Sequence, residues 1–189
     1  HFSTTLFSNT RIAEVVFEEC TFTNCSFMHT GLSSAVFKGC TFDWVVFENC
    51  SAFNTDFGET SLHLTHFRGT NLDGAKLRLD SLPPWDVAPP TGAFDCYKLV
   101  LDPSNRNRVV EVKLHVPARA KRVTPIGSRQ IRVSEARVIS GRGISIYNSG
   151  FEYNPRGIVV PDQFCDDPRV LCTFGIHAYM SREEAINEA

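Results

Sequence analysis

The chain predicts a mainly β protein: a repeat solenoid over about the first 80 residues, then a small mostly-β domain closed by a helix. Three observations predict it. A large apolar residue stands on every fifth position: Phe17, Phe22, Phe27, Leu32, Phe37, Phe42 and Phe47, back to Phe2, Phe7 and Ile12, and on to Phe57, Leu62, Phe67, Leu72 and Leu77, with Ala52 the one break. Two places before each anchor sits a small residue, among them Cys20, Cys25, Thr30, Ala35, Cys40, Cys50, Thr55, Thr60, Thr65, Thr70 and Ala75. A period of five is neither the 3.6 of a helix nor the 2 of a strand. Finally, the register stops at Pro83-Pro84-Trp85 and Pro89-Pro90-Thr91-Gly92, and alternation of period two replaces it.

The units resemble the pentapeptide-repeat family, whose loose consensus is a small residue, a polar residue, then Leu or Phe and two variable places. Ala75-Lys76-Leu77, Thr70-Asn71-Leu72-Asp73-Gly74 and Cys40-Thr41-Phe42 carry the likeness best. It covers about residues 1–80 and implies a right-handed quadrilateral β-helix with four pentapeptides per coil and about four coils. The residues agree with that implication. Small and large places two apart on an extended backbone both point inward. The last place of the unit often holds a turn former: Asn9, Asn24, Ser34, Gly39, Asn49, Asn54, Gly69 and Gly74. Twenty residues per coil predicts vertical columns: Phe7–Phe27–Phe47–Phe67, Phe17–Phe37–Phe57–Leu77 and Ile12–Leu32–Ala52–Leu72. Coils lie about 4.8 Å apart, so four make a stub about 19 Å tall.

Such a rod exposes unpaired strand edges at its ends and needs caps. Leu79, Leu82 and Trp85, with the Pro83-Pro84 stop, are the expected C-terminal cap. The chain begins at His1 already in register with no Met before it, so an upstream segment or another protein is expected over the first edge.

Residues 1–80 carry nine acidic and five basic side chains, a net of −4; the remainder carries a net of +2. Neither part has the dense basic stripe of a nucleic-acid binder. No run approaches 18 apolar residues, so membrane insertion is not expected. Four of the seven cysteines (Cys20, Cys25, Cys40, Cys50) occupy the small inward place, where Cys acts as a small hydrophobe. With an odd total, they read as free thiols in an intracellular reducing compartment, the cytoplasm or an organelle matrix. Asn24-Cys25-Ser26 and Asn49-Cys50-Ser51 match a glycosylation acceptor only because repeat corners generate that triplet.

The expected division is a β-helix over 1–82, a Pro-rich cap or linker over 83–93 and an α+β domain over 94–189. In the last, Phe94–Leu101 and Val109–Val116 read as strands joined by Asp102-Pro103-Ser104-Asn105. Gln130–Ile139 reads as a third strand, Ile144–Tyr147 and Gly157–Val160 as two more. Ser181-Arg182-Glu183-Glu184 is a capping box opening a short helix. Lys113-Leu114-His115-Val116-Pro117, Ala120-Lys121-Arg122, Cys172-Thr173-Phe174-Gly175-Ile176-His177 and Ser181–Ala185 together resemble an uncharacterised domain that accompanies pentapeptide repeats in other proteins. The likeness covers about 94–187 and implies no activity.

Catalytic chemistry finds little support. There is no Gly-x-Ser-x-Gly elbow and no Gly-rich phosphate loop, and Gly141-Arg142-Gly143 is only a turn. His177, with Cys172 nearby, is the alternative ligand site: beside Gly175 it could serve catalysis or substrate binding, or simply hold a strand end. Cys96, Cys165, Cys172 and His177 lack the tight Cys-x-x-Cys spacing of structural zinc. Asp162, Asp166 and Asp167 read as a solvated turn. No metal and no cofactor is implied.

The solenoid surface offers the interaction candidate. Trp44 and Leu64 fall at the same outward corner in successive coils, with Val46 and His66 just around it. An exposed Trp–Leu pair where turns prefer polar residues fits a protein-binding patch. Phe53 is a second outward aromatic, unless it tucks inward to replace the anchor that Ala52 lacks. The expected function is a non-enzymatic interaction or scaffold protein with protein partners, as a subunit of a larger assembly. An enzyme or ligand-binding module around His177 is the alternative. The DNA mimicry of topoisomerase-inhibiting pentapeptide proteins asks for a long acidic rod, and four coils with a net of −4 are too short and too mild.

Overall fold

The computed structural model describes residues 1–82 and 86–187. The chain divides into two compact units: His1–Trp85 with Ile126–Ser128 and Pro168–Leu171, and Asp86–Pro125 with Arg129–Asp167 and Cys172–Ala189.

The first unit is a four-faced β-solenoid with a twenty-residue repeat. One face pairs Phe2–Ser3, Thr21–Thr23, Thr41–Asp43 and Ser61–His63 in parallel; the next pairs Leu6–Ser8, Ser26–Met28, Val46–Glu48 and His66–Arg68. Single bridges Arg11↔Gly31↔Ser51↔Asn71 form the third face, and Val16–Glu18, Val36–Lys38, Asp56 and Lys76 the fourth. The anchors therefore pile up as the period predicts. Phe7, Phe27, Phe47 and Phe67 stack at centroid spacings of 4.5, 4.7 and 5.0 Å with rings within 12° of parallel. Phe17, Phe37 and Phe57 make a second column at 5.0 and 5.2 Å. Rings of neighbouring columns meet edge to face, as Phe37 and Phe42 do at 5.2 Å and 71°, so both preferred aromatic geometries are used at once.

Corners follow from the fifth place of the unit. Its backbone is left-handed at every such position from Thr4 to Gly74 except Glu59, which is why Asn and Gly recur there. The small inward residues do more than fill space. Thr30, Thr55, Thr60 and Thr70 donate their hydroxyls to the carbonyls of Phe7, Leu32, Phe37 and Phe47, each twenty-three residues back, and the thiols of Cys40 and Cys50 do the same to Phe17 and Phe27. Ala52 is fully buried, while Phe53 is 44% exposed. Phe53 does not tuck inward, because the residue after an inward anchor on an extended backbone faces out.

The C-terminal end of the solenoid is covered by more than its own continuation. Leu82 packs against the core, whereas Leu79, on the single 3-10 turn Leu79–Ser81, is 39% exposed. The expected cap residues Pro83, Pro84 and Trp85 lie outside the described residues. Two distant segments add what the sequence did not suggest. Ile126 is buried in the solenoid core, the amide of Gly69 reaches the carbonyl of Gly127, and Arg169 Nη1 donates to the carbonyl of Ala75 at 2.7 Å. A Cβ on Gly127 would overlap the carbonyl oxygen of Phe67, so only glycine allows this approach.

The second unit is an antiparallel sheet. β1 (Phe94–Leu101) and β2 (Val109–Val116) form the expected hairpin, its turn held by Ser104 donating from backbone and hydroxyl to Asp102. Further strands are β3 (Arg122–Val123), β4 (Gln130–Val133), β5 (Ala136–Ser140), β6 (Gly143–Ile144), β7 (Glu152–Tyr153), β8 (Ile158–Val159) and β9 (Ile176–Tyr179). Their order is β3-β4-β9-β1-β2-β5-β8, with β6 joining β1 to β7. The strand expected over Gln130–Ile139 is thus two strands, because its halves have different partners: β4 lies between β3 and β9, β5 between β2 and β8. Ile144–Tyr147 and Gly157–Val160 shrink to two residues each, and β3, β7 and β9 were not expected. The helix α1 (Arg182–Asn187) opens on a reciprocal capping box, Glu184 N–H to Ser181 Oγ at 3.1 Å and Ser181 N–H to Glu184 Oε2 at 3.2 Å.

Candidate functional site

On the solenoid, the parallel register places Val46 beside His66, and Trp44 and Leu64 hold the same corner one coil apart. Trp44 is 61% exposed, His66 is exposed, and Val46 and Leu64 are half-buried. Both corner residues are left-handed, at φ 56° and 48°. Phe53 belongs to a different surface, two faces further round.

In the second unit a cavity of about 390 Å³ is lined by Lys98, His177, Phe151, Tyr153, Phe174 and Cys172, among others. Alternation on β1 turns Cys96, Lys98 and Val100 to the buried side, and Lys98 is only 8% exposed. Its Nζ donates to the carbonyl of His177 at 2.9 Å and lies 6.0 Å from the centre of the Tyr153 ring. Among the described residues no carboxylate stands within ion-pair distance of it. Burial pulls its ammonium down to about 8 and pushes the Cys96 thiol up to about 12.

His177 is tied at both ring nitrogens: Nδ1 lies 2.7 Å from the Gln130 side-chain amide, Nε2 2.8 Å from the carbonyl of Thr173. Burial lowers it to about 4, with Lys98 and Arg132 adding like charge, so the ring is neutral near pH 7. A neutral imidazole has one N–H, and only Nε2 can use it on the Thr173 carbonyl. In the structure Gln130 Oε1 faces Nδ1 and Gln130 Nε2 donates to the Tyr179 hydroxyl at 3.0 Å; beside a neutral ring that amide is assigned the turned-over orientation, its NH₂ donating to Nδ1. His177 therefore splices β4, β9 and the 172–175 loop together. Cys172 is exposed at the cavity rim.

The other ligand candidates fall apart in space or in role. Cys96 is buried on β1 and Cys165 half-buried in a loop; among the described residues no three His, Cys, Asp or Glu side chains gather to hold a metal ion. Of the acidic trio, Asp162 borders the cavity, and the backbone carbonyl of Asp167 accepts from the buried Arg132 at 2.7 Å. Sequence reasoning missed Lys98 and Arg132. The signal for Lys98 was present: a lysine on the inward side of an alternating strand.

Residues 86–185 match the model of a family of unknown function, DUF5758, and residues 1–77 match the pentapeptide repeat region. No curated protein matches the chain. Similar solved structures include a pentapeptide repeat protein, Rfr23, from the cyanobacterium Cyanothece 51142, at 9% identity over 41% of this chain and 81% of that one, TM-score 0.23. Another is QnrB1, a plasmid-mediated fluoroquinolone resistance protein, at 19% identity over 39% of this chain and 56% of that one, TM-score 0.15.

Proposed function

This chain belongs to the family of unknown function DUF5758 and carries a pentapeptide repeat region ahead of that domain, and from that premise we propose that it works without catalysis, as an interaction protein that takes a protein partner on its solenoid around Trp44. One observation carries the reading: a tryptophan 61% exposed in a left-handed corner. That conformation costs a bulky residue about 1–2 kcal/mol. Asn or Gly fills half of the left-handed corners here, and Trp44 gains little burial in return. Large aromatics held rigidly at a surface are anchors for partners, and the paired strands beneath it hold it in place before binding. Leu64 repeats the pattern one coil on, and Val46 and His66 extend the patch.

In this reading the chain is a scaffold or a subunit of a larger assembly, with no part for nucleic acid or for membrane insertion. No helix among the described residues is long and apolar enough to cross a membrane. The thiols of Cys25, Cys40 and Cys50, each donating to a carbonyl inside the solenoid, suit a reducing compartment. His177 offers no free base to a substrate, since both its nitrogens are engaged.

The test is affinity purification of the wild type and Trp44→Ala side by side, with mass spectrometry and a melting curve for each. The reading expects a protein recovered with the wild type to be lost from the variant while the melting temperature moves by no more than a few degrees. Retained capture together with a large drop in melting temperature would show Trp44 to be packing.

A further inference from the structure

The cavity of the second unit has a chemistry that the solenoid reading does not use. Its floor is Lys98, more than nine-tenths buried, its ammonium donating to the His177 carbonyl and, among the described residues, without a counter-ion. The charged and titratable groups around it are few. Asp162 borders the cavity beyond ion-pair distance, His177 is neutral, Tyr153 is held protonated by burial, and Tyr147 and Cys172 lie towards solvent. Cys96, on the same strand face, is a protonated thiol. The walls are aromatic, Phe151 and Tyr153 inside and the exposed rings of Tyr147 and Phe174 towards the mouth.

A buried cation without a partner is costly, and an anion brought by a ligand relieves that cost. A single ammonium beside aromatic walls, with the neutral side chains of Ser145, Asn148, Gln163 and Thr173 in the same lining, matches a single negative charge on a largely apolar body. A phosphate would ask for several cationic donors or a helix N-terminus, whereas among the described residues Lys98 is the one cationic side chain in the lining, beside those neutral groups. The volume is that of small-molecule sites.

We propose that this cavity binds a small molecule bearing one carboxylate on an apolar body, with Lys98 as its counter-ion and Phe151, Tyr153 and Phe174 as its walls. The proposal is independent of the partner surface at Trp44 and goes beyond it. His177 is a positioning residue here: its carbonyl orients the ammonium while its ring fixes the 172–175 loop at the rim.

Titration of the full chain with benzoate, naphthoate and octanoate, each against the matching primary alcohol, tests it by calorimetry and by amide chemical shifts. At least one acid is expected to bind about tenfold or more tightly than its alcohol near neutral pH, shifting the amides of Phe151 and Phe174. That preference falls as the pH rises past about 8, where the amine loses its proton. It disappears in Lys98→Met, which binds the alcohols as well as before. Equal binding of acids and alcohols, an acid preference surviving in Lys98→Met, or no binding of any panel member at millimolar concentration overturns the proposal. The acid–alcohol and pH comparisons need only the wild type, so a variant that fails to fold leaves the test intact.

Discussion

Thr55 and Arg132 are both completely buried polar side chains, and they show how differently the two units are built. Thr55 finds its acceptor in the coil before it, the Leu32 carbonyl at 2.9 Å, at a spacing that other threonines and cysteines of the ladder repeat. Arg132 reaches the carbonyls of Cys165 and Asp167, both at 2.7 Å, across a loop that no repeat specifies. One unit satisfies its interior by a periodic rule, the other by particular long-range bonds. A periodic interior spreads its stability over equivalent contacts; an aperiodic one concentrates it in a few groups.

The contrast is broken or sharpened by matched substitutions. Phe47→Ala, deleting a ring packed between Phe27 and Phe67, is expected to cost about 4 kcal/mol in urea unfolding. Phe27→Ala should cost about the same, and a tenfold weaker effect at one site would refute the equivalence of levels. Arg132→Met is expected to cost about 3 kcal/mol by leaving buried carbonyls without donors, and its loss should fall on the second unit in hydrogen exchange. A neutral outcome would mean that the aperiodic interior is as forgiving as the ladder.

The pH dependence should be smaller and confined to the same unit. His177 has its folded value depressed to about 4, below its usual 6.5, so the unfolded chain holds the extra proton between the two. Stability is therefore full above about 6.5 and falls, by of order 2 kcal/mol, as the pH drops towards 4. His177→Gln should flatten that slope, and an unchanged slope would place the effect elsewhere. The smallest change is expected at Trp44→Asn. Stability should hold or rise by no more than about 1 kcal/mol, since Asn tolerates the left-handed corner better; a loss beyond that would make the indole a structural residue.

The same contrast explains what could be read in advance. The solenoid columns, the left-handed corners and the outward Trp44–Leu64 pair follow from a spacing visible in the chain, as does the Ser181–Glu184 box. Hairpin β1–β2 was legible through alternation and its Asp-Pro-Ser-Asn turn. The rest was hidden for physical reasons. β3, β7 and β9 are too short to alternate visibly, and the split of Gln130–Ile139 depends on which partners each half meets. Ile126 and Arg169 as cap residues depend on chain returns that no local pattern announces. Lys98 was overlooked because a single cation in a strand reads as a surface residue until its neighbours Cys96 and Val100 prove buried.

The way the ladder is closed has a genetic corollary. The carbonyl of Gly127 accepts from the Gly69 amide and Arg169 donates to the carbonyl of Ala75, each on a fixed side of the final turn. Excising a block of twenty residues from the middle of the ladder returns an equivalent side to the same place, because the bridging register is twenty. Excising five or ten rotates the stack and offers the wrong side. Tolerated length changes in this ladder should therefore come in whole turns, like links removed from a chain.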